Sequence, residues 1–374
     1  MRDNICLIGD DCQNIFEWRG SSSELVFQFD RKHKKVVLED NYRSSEKIIE
    51  AINKTIYSMK FKIIKKLKCT RRKGEKIIIE GFDNFYDEVE FIINEIKKLI
   101  KKKEVLHEIA ILIRTNYIGK EIERELIRNR IPCHLSKSKS FFDREEIKDI
   151  ISFLNLKINP DSKIDFSRLM KILPGVGDVA IDKMIDYSFE KRISFIDVLN
   201  EIDKIKINDQ VKYSSRIIKE AFSLNENPIE SFLKSINYDK IIINKYKNEE
   251  MKIEDKFENI SLLLDLFKGY SNDSEGIKNF LDSLIELEKR EKDKNKIIIS
   301  TIHSAKGLEW KHVFLACCNE KILPYYKDKL TNIKRDSELR LFYVAISRAK
   351  DNLTITHSNH HNWRFLEPSQ YIEI

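Results

Sequence analysis

Four short polar stretches of this chain carry side chains suited to a phosphorylated, base-bearing ligand. In LIGDDCQNIFEWRG, residues 7–20, an apolar run delivers Asp10 and Asp11, which can hold a magnesium ion or simply open a turn. Gln13 can sense a γ-phosphate or orient water. Trp18 beside Arg19 sets a flat aromatic face next to a planar cation, a pairing suited to a stacked base and its phosphate or, for the tryptophan alone, to a core. In LEDNYRSS, residues 38–45, Tyr42 can stack on a purine and Arg43 can reach a phosphate. In STIHSAKGLEW, residues 300–310, a histidine (His303), a lysine, Gly307 and Glu309 crowd into seven positions; the glycine admits close backbone approach and the glutamate can accept from a ribose hydroxyl. In ELRLFYVAISRAKDNL, residues 338–353, Arg348 near the end of an apolar-sided helix is either a helix-terminal charge or an arginine finger, worth roughly 10³ to 10⁵ in phosphoryl-transfer rate.

Such side chains need a rigid scaffold. Short Ile- and Val-rich runs alternate with segments of helical period, the pattern of strand and helix units on a parallel sheet. Strands are expected at residues 5–9, 36–38, 77–81, 109–113, 296–302, 312–317 and 353–356. Between them, residues 85–100 place Val89, Ile92, Ile93, Ile96 and Leu99 on one helical face, and Ser44 or Ser45 caps a helix after the second cluster. From about residue 145 to 292 the strand signal gives way to helical periodicity, broken at Asn159-Pro160, residues 174–177, Asn227-Pro228 and residues 270–274. An all-helical insertion within an α/β domain accounts for this.

A length of 374 residues implies more than one domain. The chain is 41% hydrophobic and 34% charged with a net charge of +7, which suits a soluble protein and fits a nucleic-acid partner without requiring one. Cys6, Cys12, Cys69, Cys133, Cys317 and Cys318 form no Cys-x-x-Cys pair and no zinc spacing, so no metal centre is expected and a reducing cytoplasm is the expected location. No apolar run approaches the roughly 18 to 20 residues that cross a bilayer, and the first residues lack a signal-peptide pattern. Membrane and secretion readings drop out.

Taken in order, the four clusters resemble the later motifs of the UvrD/Rep/PcrA family of superfamily 1 DNA helicases. GDDCQNIFEWRG is similar to the family's glutamine-containing coupling motif and NYRSS to its adenine and γ-phosphate motif. TIHSAKGLEW is similar to its mixed DNA and nucleotide motif, and LFYVAISRA to its arginine-finger motif. The stretches at residues 109–135 and 140–156 resemble the second motor domain ahead of its accessory insertion. LPGVGDVAIDKM, residues 173–184, resembles the glycine hairpin that opens the insertion, and the final PSQYIEI is like the segment after the last motor motif.

The resemblance implies an α/β fold: a RecA-like parallel-sheet motor domain with a large all-helical insertion, plus a short remnant of the first motor domain. The implied division is residues 1–35 for the remnant, 36–145 and 293–374 for the second motor domain, and 146–292 for the insertion. The remnant is expected to have little to pack against. Position by position, Gln13 would couple the γ-phosphate to DNA, and Trp18 and Arg19 would grip single-stranded bases and backbone, with Phe16 standing where the family usually has tyrosine. Tyr42 would stack on adenine, Arg43 and Arg348 would contact the γ-phosphate, Glu309 would hold the ribose, and Gly307 would permit the tight turn. His303 and Asn116 would touch the DNA strand, while Gly175 and Gly177 would let backbone amides approach a duplex phosphate or would form a plain helix-helix turn.

Phosphoryl transfer also needs a phosphate loop, G-x-x-x-x-G-K-[ST], and an upstream Asp-Glu-x-Gln strand. These 374 residues contain neither; the Gly119-Lys120 pair lacks the upstream glycine. The expectation is therefore the C-terminal half of a 3′ to 5′ DNA-translocating ATPase, inactive alone. Its N-terminal half would lie on another polypeptide or be missing. ATP and Mg²⁺ would bind only when that half completes the cleft, and the partners would be single-stranded DNA and a duplex junction. The alternatives are a non-catalytic DNA-binding or regulatory module derived from a helicase, and a protein-interaction scaffold.

Overall fold

The computed structural model describes residues 6, 8–16, 34, 36–71, 74–223, 227–326, 332–361 and 364–373. The chain divides into two compact units, residues 1–137 with 293–374, and residues 138–292.

In chain order, the first unit contributes α1 (Glu46–Ser58), β1 (Ile78–Phe82), α2 (Phe85–Lys101), β2 (Ile109–Ile113), α3 (Asn116–Arg128) and β3 (Cys133–Leu135). The helical unit follows as α4 (Glu145–Ile158), α5 (Lys163–Ile172), α6 (Asp178–Lys191), α7 (Phe195–Asn200), α8 (Asp209–Ser223), α9 (Pro228–Ser235), α10 (Tyr238–Lys245), α11 (Glu250–Phe267) and α12 (Ser274–Lys292). The chain then returns to the first unit as β4 (Ile297–Thr301), the single turn α13 (Ile302–Ala305), β5 (Trp310–Leu315), α14 (Asn332–Ile346) and β6 (Ala349–Ser358).

The six strands form one sheet in the order β1-β6-β5-β2-β4-β3, with every neighbouring pair parallel. Central β2, Ile-Ala-Ile-Leu-Ile, is buried at all five positions because helices cover both faces. On one face Ala110 and Leu112 join Val313, Leu315 and Ile355 in a core with Ile48, Ile49 and Ile52 of α1, Ile302 and Ala305 of α13, and Phe342 and Val344 of α14. Alternation along β2 turns Ile113 to the other face, where α3 approaches so closely that a Cβ on Gly119 would lie 2.4 Å from Ile113 Cδ1 and 2.7 Å from Leu135 Cδ1. That contact explains a glycine inside a helix. In α2, Val89, Ile92, Ile93 and Ile96 are buried, as the periodicity requires. Its buried Glu88 accepts from Cys317 N at 2.8 Å and Thr356 Oγ1 at 2.6 Å.

The helical unit packs through aromatic rings and satisfied polar groups. Phe153 of α4 stacks on Phe232 of α9, centroids 4.5 Å apart, and Phe166 of α5 stacks on Phe195 of α7 at 5.2 Å. Buried Glu146 accepts from Asn259 at 2.7 Å and Lys256 at 2.6 Å; buried Asp149 accepts from Arg168 at 2.7 Å and the Tyr238 hydroxyl at 2.6 Å. Burial raises the Asp149 carboxyl above its ordinary range despite those two donors.

Several expectations need correction. Residues 36–38 form no strand: Val36 and Leu38 are 77% and 83% exposed, without a pairing partner among the described residues, and pairing starts only at Asp40–Asn41 against Lys68–Cys69. Ile5 and Leu7 lie outside the described residues, and residues 8–10 carry no strand. A short strand at Cys133–Leu135 was absent from the reading because three residues give no periodicity. The helix expected over residues 338–353 ends at Ile346, and β6 starts at Ala349. Ser347 and Arg348 end it by donating side-chain hydrogen bonds to Val344 O at 2.9 and 3.0 Å. Nor do residues 11–15 lack packing, since Cys12 and Ile15 are 0% and 3% exposed within the core against α1 and α14.

Candidate functional site

Because β5 and β6 are parallel neighbours, the residues that precede them share one end of the sheet. Glu309 leads into β5 and Arg348 into β6, and Trp310 N donates to Arg348 O at 2.9 Å. Arg43 arrives from the loop before α1. That loop is shaped by Asn41, whose Oδ1 accepts from the N–H groups of Arg43 at 3.0 Å and Ser44 at 2.9 Å, an Asx-type turn. It is fastened to β6 by Ser44 Oγ donating to Ala349 O at 2.7 Å and Ser45 N donating to Lys350 O at 2.8 Å. Ser45 is the N-cap residue of α1, although its side chain makes no capping bond.

This brings Arg43, Glu309 and Arg348 together. Arg43 Nε donates to Glu309 Oε2 at 2.5 Å and its Nη1 to Ser347 O at 3.4 Å, while Lys350 Nζ stands 3.6 Å from Glu309 Oε1. The hydrogen bond from Arg43 holds the Glu309 carboxyl below its ordinary range. Arg348 is 1% exposed, and its guanidinium donates to Val344 O at 3.0 Å, Leu308 O at 3.0 Å and Ser347 Oγ at 2.8 Å. Burial, then repulsion from Arg43, pushes it down to about 10, so it stays charged at neutral pH. Tyr42, next to Arg43 in the chain, is 76% exposed. Gly307 has φ +91°, a left-handed turn that a side chain would strain, and Leu308 N closes it onto Ala305 O at 3.0 Å.

A second cluster forms around Asp10. Its carboxylate accepts from Gln13 Nε2 at 2.7 Å and the Tyr343 hydroxyl at 3.1 Å, and Lys65 Nζ reaches Asp10 at 2.5 Å and Asp11 at 2.8 Å. Asp11 also accepts from Ile63 N at 2.8 Å. Burial alone would raise the Asp10 carboxyl, but the Lys65 charge and the converging donors bring it below its ordinary range. Burial likewise pushes the Cys12 thiol up to about 12. Among the described residues, Asp10, Asp11 and Cys12 place three donor atoms within 4.8 Å. The Lys65 ammonium already bonds an oxygen of each carboxylate and offsets one of their two charges, and the Cys12 thiol keeps its proton, so a divalent cation would have to displace a buried lysine and the set fits one poorly.

Phe16 lies against the third cluster, its ring 6.0 Å from that of His303 and 5.4 Å from Lys306 Nζ. Asn116 is exposed at the start of α3, just past β2, and hence at the opposite end of the sheet from Arg43 and Glu309. Gly175 and Gly177 belong to the helical unit, both exposed in the loop between α5 and α6. Gly175 has φ +81°, Gly177 is the N-cap residue of α6, and Ser214 Oγ steadies the loop through Pro174 O at 3.2 Å. Trp18 and Arg19 lie outside the described residues. The reading missed Asn41, Lys65, Tyr343 and Lys350. Tyr343 and Lys350 sit inside the quoted arginine-bearing stretch, where their spacing could have flagged them. Lys65 sits in a lysine run that reads as a solvated surface.

The first unit is thus an α/β sheet domain carrying a cation and carboxylate rim at the amino ends of two neighbouring strands. Residues 36–360 match the UvrD-like helicase C-terminal domain, and the chain belongs to that family. It is 29% identical over 378 residues to the ATP-dependent DNA helicase PcrA of Bacillus subtilis strain 168, an alignment covering 95% of this chain and 51% of that protein. It is also 29% identical over 377 residues to PcrA of Staphylococcus aureus strain Mu50, again covering 95% and 51%. The chain spans about half the length of the curated relatives it matches. Among solved structures, the C-terminal domain of a possible DNA helicase from Lactobacillus plantarum WCFS1 matches 89% of this chain and 92% of that one at 10% identity and a TM-score of 0.35. No helix among the described residues is long and apolar enough to cross a membrane.

Proposed function

We propose that this chain supplies the second-motor half of a UvrD-type, ATP-driven 3′ to 5′ DNA translocase or helicase. The observation that carries this reading is the meeting of Arg43 with Glu309, 266 residues further along the chain, and with Arg348 at one end of the sheet. The donor chemistry fits a nucleotide. Tyr42 offers an exposed ring to a base, Glu309 can accept from a ribose hydroxyl, and the two guanidinium groups can meet phosphate oxygens. ATP, when bound, supplies the scissile phosphoryl group. The chain's own part is to present charge to it, and Arg43 does so by exchanging Glu309 for a phosphate, a low-cost exchange because the pair is solvent-accessible.

A phosphate loop must come from elsewhere, since these 374 residues contain none. We assign DNA contact to Phe16, His303 and Asn116, together with Trp18 and Arg19, and duplex-phosphate contact to the backbone at Gly175 and Gly177. Mixing residues 1–374 with a separately produced phosphate-loop half tests the reading. The expected result is DNA-stimulated ATP hydrolysis from the mixture and none from the chain alone; hydrolysis by the chain alone would overturn it. A non-catalytic DNA-binding or regulatory module is favoured by one observation, that protein acceptors occupy all three guanidinium nitrogens of Arg348. That alternative predicts DNA affinity with no hydrolysis on mixing.

A further inference from the structure

The two edges of the sheet are protected very differently. β3, at one edge, has three residues, two of them buried. β1, at the other, pairs only with β6 among the described residues, and its five residues, Ile-Ile-Glu-Gly-Phe, are largely exposed, with Ile78 at 39% and Ile79 at 38%. Natural edge strands are blunted by shortness, proline, charged side chains, bulges or a covering element. β1 carries one such charge, Glu80, but neither lysine nor proline, and among the described residues its outward N–H and C=O groups have no ladder partner.

Beside this edge, on the face that α1 covers, lies a groove of about 200 Å³ lined by Lys47, Glu50, Lys54, Lys76, Ile77 and Ile79. Lys47 is paired with Glu50 at 2.8 Å. Lys54 and Lys76 are exposed and have no carboxylate at ion-pair distance among the described residues, so the groove carries uncompensated positive charge. Alternation along β1 sets Ile77 and Ile79 toward the lysines and Ile78 toward the opposite face. A strand laid about 4.8 Å outside β1 would therefore send every second side chain into the lysine-lined groove and the intervening ones over exposed isoleucine.

We infer that the β1 edge is a docking site for an extended acidic segment of a partner protein, which adds to the sheet as a seventh strand with its carboxylates over Lys54 and Lys76. Main-chain pairing would supply the affinity and the lysines the charge selectivity. A nucleic acid fits less well, because among the described residues no aromatic ring lines the groove for a base to stack on, and the unpaired backbone groups match a peptide repeat.

The test uses the whole chain and a fluorescent octapeptide alternating aspartate with valine, read by anisotropy at low salt. Its lysine-valine counterpart, a copy N-methylated at alternate amides and a 12-nucleotide oligothymidine serve as comparisons. The acidic peptide is expected to bind at least tenfold tighter than the basic one and to lose at least tenfold on N-methylation, which leaves the protein untouched. Lys54→Glu with Lys76→Glu, both at exposed positions, should weaken the acidic peptide at least tenfold at unchanged melting temperature. Equal binding of acidic and basic peptides, or indifference to N-methylation, would overturn the proposal. So would oligothymidine binding that falls with the charge reversal while the acidic peptide fails to bind, which would make the groove a nucleic-acid contact.

Discussion

The Lys65 clamp and the Arg43 rim are built from the same chemistry, a cation paired with carboxylate from a distant part of the chain, yet they are opposites in burial. In the clamp, the side chains of Lys65 and Asp11 are 9% and 2% exposed; in the rim, those of Arg43 and Glu309 are 30% and 41% exposed. A buried pair holds its geometry because separating it strands a charge in a poor dielectric, whereas an exposed pair trades partners at little cost. The comparison teaches that polar loops of equal density divide into fasteners and exchangeable contacts according to how much water reaches them. The clamp fastens residues 10–13 to α14 through Tyr343, while the rim keeps Arg43 and Glu309 within reach of solvent.

Arg348 combines both characters, being buried like the clamp and placed at the rim, and it should give the largest effect. In a motor completed by a phosphate-loop half, Arg348→Lys keeps the charge but loses the fork of donors. The hydrolysis rate should fall by roughly 10³ to 10⁵, about 4–7 kcal/mol in activation free energy, at similar DNA affinity. A rate within tenfold of the parent would show that Arg348 is only a helix terminator. Next in size is Lys65→Met, which leaves the Asp11 carboxylate buried and unpaired. It should cost about 3–5 kcal/mol in urea unfolding, with Lys65→Met combined with Asp11→Asn recovering part of that. A loss below about 1 kcal/mol would move the clamp into the rim's class.

Arg43→Gln inverts that pattern. Removing an exposed ion-pair partner should change stability by under about 1 kcal/mol. Nucleotide affinity of the completed motor should nevertheless fall at least tenfold, measured by titrating a fluorescent ATP analogue. Unaltered affinity with a large stability loss would mean that Arg43 and Glu309 form a fastener after all.

Much of this was legible in the sequence, for physical reasons that also mark its limits. The expectation at residues 109–113 matches a strand because a fully buried parallel strand is a continuous apolar run, and α2 because its apolar side repeats at helical spacing. Residues 36–38 misled because β-branched Val36 and Val37 are of a type enriched in strands, while strand formation depends on a pairing neighbour that these residues lack among the described residues. The end of α14 was misplaced because the apolar run continues through Ala345 and Ile346, and the stop is made by side chains folding back, which no periodicity records. Arg43, Glu309 and Arg348 could be named from their motifs. That Arg348 would be buried and that Arg43 and Glu309 would hold each other depends on tertiary packing. Lys65 was invisible because a lysine's burial is decided by the carboxylates waiting for it, here 54 and 55 residues away.

The smallest expected effect separates the two regions by pH. Burial holds the His312 and His357 imidazoles below their ordinary 6.5; Glu104 and Asp351 oppose that at His312 while Lys311 reinforces it, and Glu88 opposes it at His357. Each therefore binds its proton more readily unfolded than folded, and stability falls as pH drops from about 6.5. Asp10 and Glu309 are also depressed, but from 3.8 and 4.5, so the clamp and the rim keep their contributions until the pH passes below those values. Between pH 7 and 5 the loss should be a histidine property. The urea midpoint of His312→Gln with His357→Gln should vary less over that range than the parent's, whereas Arg43→Gln, which disturbs only the exposed rim, should keep the parent's slope. If Arg43→Gln flattens the slope and the histidine variant does not, the pH-sensitive loss belongs to the rim and not to the buried imidazoles.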